Sequence, residues 1–114
     1  MNRSFKRCLI TGIGGSGGSY LAEYILKRSP KTKIFGFYRS TGYSTYLKKN
    51  YKSKISITKI DLKNFKNLKK KLNIIKPDVV FHLASNADVR NSFFEALKFS
   101  ENNNMITVNL LEAL

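Results

Sequence analysis

Cys8-Leu9-Ile10-Thr11-Gly12-Ile13-Gly14-Gly15-Ser16-Gly17-Gly18-Ser19-Tyr20-Leu21 decides how this chain is read. A short apolar run enters a turn holding five glycines, and Leu21, Ala22, Ile25 and Leu26 then recur at helical spacing. A strand, a bare turn and a helix start in that order turn backbone N–H groups and the positive end of a helix toward one place. Such a place suits a diphosphate. Side chains at the points of close approach would hold a ligand off, which is why glycine is needed there.

Two spacings overlap in the turn. Gly12, Gly14 and Gly17 fit G-x-G-x-x-G, the general dinucleotide fingerprint, while Gly12, Gly15 and Gly18 fit G-x-x-G-x-x-G. A P-loop is excluded because Gly18 stands where its phosphate-binding lysine belongs. A methyltransferase loop would be entered through an acidic residue, and here it is entered through Thr11.

The chain has 114 residues, enough for one small domain, with 42% hydrophobic content. Lys and Arg number 21 against 7 Asp and Glu, a formal net charge of +14. No nucleic-acid motif accompanies the lysines, so they read as solvated helix faces and nucleic acid is not expected as a partner. The positive field would still attract a polyphosphate. Cys8 is the single cysteine, without a partner for a disulfide or a metal cluster, and fits a reducing, cytoplasmic setting. Arg3, Lys6 and Arg7 precede only three apolar residues, which is no signal peptide. Nothing approaches the ~18 apolar residues of a membrane span, so no membrane association is expected.

Apolar runs alternate with helical periodicity along the whole length. Strands are predicted over Arg7–Thr11, Ile34–Tyr38, Ile55–Ile60 and Val79–Ala84, the last as a buried strand. Helices are predicted over Gly17–Ser29, near Thr45–Asn50, through Phe65, Leu68, Leu72 and Ile75 up to Pro77, over Asn91–Lys98 and over Asn103–Leu114. Strands alternating with helices make an α/β fold, a doubly wound parallel sheet covered on both faces. Ligands sit at the carboxyl ends of such strands.

An Asp or Glu about 20 residues beyond the glycines would meet the ribose 2′-hydroxyl of NAD. No acidic residue lies between Glu23 and Asp61, and the second strand ends in Phe37-Tyr38-Arg39-Ser40. The Arg39 guanidinium suits a 2′-phosphate, so NADP(H) is preferred and NAD(H) is the alternative. Asp61, ending the third strand, has two readings: acceptor for an adenine amino group with Leu62 backing the ring, or N-cap of the next helix. His82, inside an apolar strand, reads as packed and hydrogen-bonded rather than catalytic.

Three blocks in order resemble the extended short-chain dehydrogenases/reductases, the NAD-dependent epimerase/dehydratase family. They are Thr11-Gly-x-x-Gly-x-x-Gly18-x-x-Leu21, His82-Leu83-Ala84-x-x-x-x-Val89-x-x-Ser92-Phe93 and Thr107-x-Asn109-Leu110-Leu111-Glu112-Ala113. Within that family Ile10-Thr11-Gly12-Ile13, Gly18-Ser19-Tyr20-Leu21-Ala22-Glu23 and Phe35-Gly36-Phe37-Tyr38-Arg39-Ser40 are most similar to the GDP-mannose 4,6-dehydratases. Gly17 replaces an acidic residue of those enzymes, Asp88 a histidine and Ile106 a glycine, which keeps open another nucleotide-sugar dehydratase, epimerase or reductase. The resemblance implies a Rossmann-type sheet, of which residues 1–114 are the N-terminal part. It implies that Gly12, Ile13, Gly15, Ser16 and Gly18 hold the pyrophosphate, Arg39 the adenosine phosphate, and Asp61 and Leu62 the adenine. Leu83, Ala84 and Ser85 would line the ribose and nicotinamide, and Asn103 would steady the active-site end of the sheet.

The resemblance also implies a reaction on a nucleotide sugar. The C4 hydroxyl is oxidised, water is lost across C5–C6, and hydride returns at C6, served by a Tyr-x-x-x-Lys pair with a nearby Ser or Thr. None of Tyr20, Tyr24, Tyr38, Tyr43, Tyr46 and Tyr51 has lysine four residues later. The chain is therefore expected to be the cofactor-binding part of a longer enzyme, without catalytic or metal-ligating residues of its own, inactive alone, and a homo-oligomer through its last helix. A non-catalytic NAD(P)-binding module is the competing reading.

Overall fold

Residue by residue, β1 shows why the chain folds as a covered sheet. In this strand, Arg7–Thr11, Cys8 and Ile10 point to one face and Leu9 to the other, and all three are buried. A strand sealed on both sides reads as a continuous apolar run rather than an alternating one. The structure, a computed structural model, describes residues 6–39, 42, 44–51, 53–84 and 96–114, and for 96–104 the backbone only.

The other strands are β2 (Lys33–Tyr38), β3 (Ile55–Lys59) and β4 (Val79–His82), and all pairings are parallel in the order β3-β2-β1-β4. The order reverses beside β1. The first crossover runs through α1 (Ser16–Arg28) to β2, with α2 (Ser44–Asn50) before β3, whereas α3 (Phe65–Ile75) carries the chain back across to β4. Two apolar clusters result. Cys8, Ile10, Ala22, Leu26, Ile34 and Leu47 fill the face under α1 and α2. Leu9, Phe37, Leu68, Leu72, Leu110 and Ala113 fill the face under α3 and the last helix, α4 (Ala96–Ala113). This is the Rossmann-type doubly wound arrangement expected from the sequence.

Local chemistry fixes the helix ends. Asn64 caps α3 by accepting from the Asn67 amide at 3.2 Å. Lys76 ends it in the left-handed region, φ 48°, with its amide bonded to the Leu72 carbonyl, and Pro77 follows. At the amino end of the sheet, Asp78 Oδ2 accepts from the Lys6 and Arg7 amides at 2.8 and 3.0 Å. The Arg7 guanidinium donates to the Ile75 carbonyl and lies 4.8 Å from the Phe35 ring centroid.

The structure corrects three readings. The last helix is continuous from Ala96 to Ala113, not divided between Asn91–Lys98 and Asn103–Leu114. The asparagines at 102–104 are poor helix formers, but neither Gly nor Pro interrupts the segment, and propensity is a weak force beside the docking of Leu110 and Ala113. Asn64 rather than Asp61 is the N-cap of α3. The fourth strand ends at His82 rather than Ala84 and is not buried, with Phe81 36% exposed, while its place at the edge of the sheet is as a segment lacking its next neighbour would have it.

Gly36 in β2 leaves the space that Ile13 fills: a Cβ there would lie 2.4 Å from Ile13 Cδ1, and Ile13 is fully buried. Gly36→Ala is expected to lower the unfolding free energy by about 1–3 kcal/mol in a urea titration through overpacking. An unchanged midpoint would show that Ile13 can repack.

Candidate functional site

The order of the strands places the switch point at the carboxyl ends of β1 and β4, where a doubly wound sheet opens its crevice. The glycine turn occupies that point. Gly12 has φ +74°, and a Cβ on it would lie 2.8 Å from the Ala84 amide nitrogen. Its own amide and that of Ile13 donate to the Phe37 carbonyl at 3.0 and 3.1 Å. A Cβ on Gly18 would lie 2.3 Å from the Gly12 carbonyl oxygen, so only glycine lets α1 start this close to the turn.

The opening of α1 is bare. Gly15 is its N-cap and offers no side chain to its amides, there is no acidic residue in its first turn, and Gly15, Ser16 and Gly17 are all exposed. An uncapped, solvent-facing helix start with its positive dipole end unneutralised fits an anion. The predicted pyrophosphate residues Gly12, Ile13, Gly15, Ser16 and Gly18 are thus brought together. The Ile13 side chain is fully buried and its amide is already bonded to the Phe37 carbonyl, and the Gly15 amide is bonded to the Gly12 carbonyl at 3.1 Å.

Arg39 follows β2 directly and is exposed; Ser40 lies outside the described residues. Gly42, with φ +44°, lies against the turn: a Cβ on it would be 2.0 Å from the Gly14 carbonyl oxygen. Gly42 therefore borders the glycine turn. Asp61 is exposed beyond β3, and its Oδ1 accepts from the Lys63 amide at 2.9 Å. The side chain of Leu62 is buried in the core with Leu110, so what it presents outward is backbone. Leu83 and Ala84 lie beside Gly12, the Leu83 amide donating to the Thr11 carbonyl at 3.2 Å. Ser85 and the block from Asp88 to Phe93 lie outside the described residues, and Asn103 falls on the backbone of α4.

His82 is packed and hydrogen-bonded. Nδ1 lies 2.6 Å from Thr11 Oγ1, Nε2 lies 3.0 Å from Thr107 Oγ1, and Thr11 Oγ1 also accepts from the Ala84 amide at 3.2 Å. The network is satisfied when the Thr11 hydroxyl donates to Nδ1 and the ring proton sits on Nε2. Desolvation by burial holds this imidazole below its ordinary pKa of 6.5.

Sequence reasoning gave Thr107 and Asn109 no task. Asn109 Nδ2 donates to the Leu62 and Lys63 carbonyls at 3.0 and 3.1 Å, docking α4 on the turn after β3. The available signal was their place as polar residues among Ile106, Leu110 and Ala113 on the inward side of the helix. A shallow 290 Å³ depression between the ends of α3 and α4, lined by Leu72, Lys76, Pro77 and Leu114, lies at the opposite end of the sheet and carries none of these residues. Among the described residues no group of three His, Cys, Asp or Glu could hold a metal ion.

A parallel sheet whose switch point carries a glycine-lined turn and an uncapped helix start defines a Rossmann-type domain. The family model for GDP-mannose 4,6 dehydratase matches residues 9–114, and the chain belongs to that family. It is 37% identical over 95% of its length to UDP-N-acetyl-alpha-D-glucosaminuronate decarboxylase of Bacillus cytotoxicus, covering 32% of that protein. It is 30% identical over 96% of its length to GDP-mannose 4,6 dehydratase of Drosophila melanogaster, covering 29% of that protein. The solved UDP-glucose 4-epimerase of Thermus thermophilus, in complex with NAD, superposes with a TM-score of 0.77 at 27% identity, over 94% of this chain and 33% of that one. The chain spans about a third of the length of the curated relatives it matches.

Two outcomes follow from this geometry. A Cβ at Gly17 meets nothing within 4 Å, so Gly17→Ala should stabilise the chain by about 0.5–1 kcal/mol, the helix-propensity gain. Gly18→Ala should instead destabilise it, and urea denaturation of the two variants side by side reads the contrast. For His82, the folded state disfavours the imidazolium, so the unfolded chain binds more protons below 6.5. Stability is whole above that pH and is lost as pH falls through the lowered folded value. The pH slope should shrink in His82→Gln, and an equal slope would assign the loss to other groups.

Proposed function

We propose that this chain is the cofactor-binding part of an NADP(H)-dependent nucleotide-sugar dehydratase of the GDP-mannose 4,6-dehydratase type, working within a longer protein. The observation that carries the reading is the bare start of α1, held against the turn by Gly12 and Gly18 and open to solvent at Gly15–Gly17. Those residues fit the pyrophosphate of a dinucleotide, because Gly12 and Gly18 seat the helix start against the turn where a Cβ would strike backbone, and Gly15–Gly17 leave that start open to solvent. Arg39, exposed beyond β2 with no acidic residue between Glu23 and Asp61, supports a 2′-phosphate and hence NADP(H). Asp61 and the Leu62 backbone would meet the adenine, and Leu83, Ala84 and Ser85 the nicotinamide side.

When bound, the nicotinamide supplies a hydride acceptor and donor. This chain's residues would bind and orient it: the opening amides of α1 would meet the diphosphate, the Arg39 guanidinium would neutralise the adenosine end, and the close Gly12–Ala84 approach would hold the turn beside β4. The sugar chemistry belongs to a Tyr-x-x-x-Lys pair that these 114 residues lack, so the chain by itself is expected to dehydrate nothing. Met105, Val108 and Leu111, with Leu114 just beyond the helix, each about half exposed or more, give α4 an apolar outer side suited to a second copy in a homo-oligomer. A cytoplasmic setting accords with the single free thiol of Cys8, and among the described residues no helix is long and apolar enough to cross a membrane.

A second reading has its own support. The Bacillus relative acts as a UDP-sugar decarboxylase by name, and the Thermus structure holds NAD; the chain would then serve another nucleotide-sugar enzyme using NAD(H). Cofactor titration separates the two. NADPH, followed by its fluorescence, should bind the chain more tightly than NADH. Arg39→Asp should weaken NADPH about tenfold or more, the worth of one charge-assisted hydrogen bond, and leave NADH nearly unchanged. Equal losses for both would remove the NADP(H) assignment.

A further inference from the structure

We propose that helix α4 positions the cofactor crevice, with His82, Thr107 and Asn109 as positioning residues that hold the ends of β4 and β3 to one rigid element. The proposal rests on the NAD(P)(H) reading given above and adds to it how the crevice keeps its shape.

The argument begins at Thr11, the last residue of β1. Its hydroxyl has one proton and accepts the Ala84 amide at 3.2 Å. A hydroxyl whose own proton had no acceptor would rotate and offer that amide a poorly aimed lone pair. His82 Nδ1, 2.6 Å away, accepts the hydrogen bond from that hydroxyl and fixes the rotor. The ring is fixed in turn because Nε2–H is aimed at Thr107 Oγ1 at 3.0 Å. Thr107 stands on α4, so the orientation of the Ala84 amide depends on where that helix sits.

Two further contacts give the chain of bonds its consequence. The Ala84 amide is so close to Gly12 that a methyl group there would be 2.8 Å away, so a displacement of a few tenths of an ångström at Ala84 reaches the turn directly. Two residues along α4 from Thr107, Asn109 donates to the Leu62 and Lys63 carbonyls. One helix thereby ties two strand-end segments together, Leu83–Ala84 beside the turn through an imidazole and Leu62–Lys63 beyond β3 directly. Apolar residues of matching volume would meet packing alone; hydroxyl, imidazole and hydroxyl in line add fixed directions, because a fully satisfied buried network rigidifies its members.

The test uses the whole chain. Thr107→Val keeps the shape and removes the hydroxyl, and Thr107→Ser returns it. NADPH affinity should fall about threefold to tenfold in T107V and return to within about twofold of the parent in T107S. The chain has a single histidine, so ¹⁵N spectra of the ring are unambiguous. The parent should show a neutral ring protonated on Nε2, and its signals should move on adding NADPH and in T107V. Weaker binding in T107V, rescue in T107S and the moved ring signals together support the proposal. T107V binding as tightly as the parent would overturn it while leaving the cofactor reading intact. A ring protonated on Nδ1 in the parent would overturn it even if T107V failed to fold. A parent chain that binds neither NADPH nor NADH would sink the cofactor reading and this proposal with it.

Discussion

Everything at the open end of the sheet depends on the contact between the first turn of α1 and the carbonyl of Gly12. Where one methyl group would come within 2.3 Å of that oxygen, no other residue type gives the same seat for the helix. Because α1 starts there, its amides face the switch point rather than the core, and because Gly15 offers no capping side chain, they stay available. The seat of α1 is a consequence of atoms that are missing from the sequence rather than of groups that are present.

Much of this was legible in advance because it follows from short-range pattern. The apolar run at Cys8–Ile10, the helical recurrence after the glycines and the pairing of Phe65, Leu68, Leu72 and Ile75 all express burial on a face, and burial is local to each element. The bounds of β1 and α3 accordingly agree with the pattern. What could not be read depends on distance between elements. Asn64 outcompetes Asp61 as cap because α3 begins at Phe65, which periodicity locates only within a turn. Leu62 looked like a ring-backing residue by position, yet its side chain is drawn inward by Leu110, some fifty residues away in sequence. The unity of α4 across 102–104 likewise comes from docking and not from propensity.

The candidate site shows the same division. Gly12, Gly15 and Gly18 announce themselves by spacing, and Arg39 by the lack of acid around it. His82 was legible as a packed residue from its apolar strand, but its partners were not, since Thr11 and Thr107 lie on two other elements. Part of the high positive charge sits on exposed helix lysines such as Lys66, Lys69 and Lys70 of α3. It shapes the long-range field and leaves the bonding at the crevice untouched.

Cys8 illustrates what a sheet sealed on both faces does to its contents. It lies 1% exposed in the central strand β1, and burial pushes its thiol up to about 11. Alkylating reagents attack thiolate, so this group is silent at neutral pH for as long as β1 stays zipped between β2 and β4. The chain therefore carries a built-in clock for its own opening: the rate at which a maleimide or iodoacetamide consumes its only sulfhydryl counts how often the middle of the sheet comes apart.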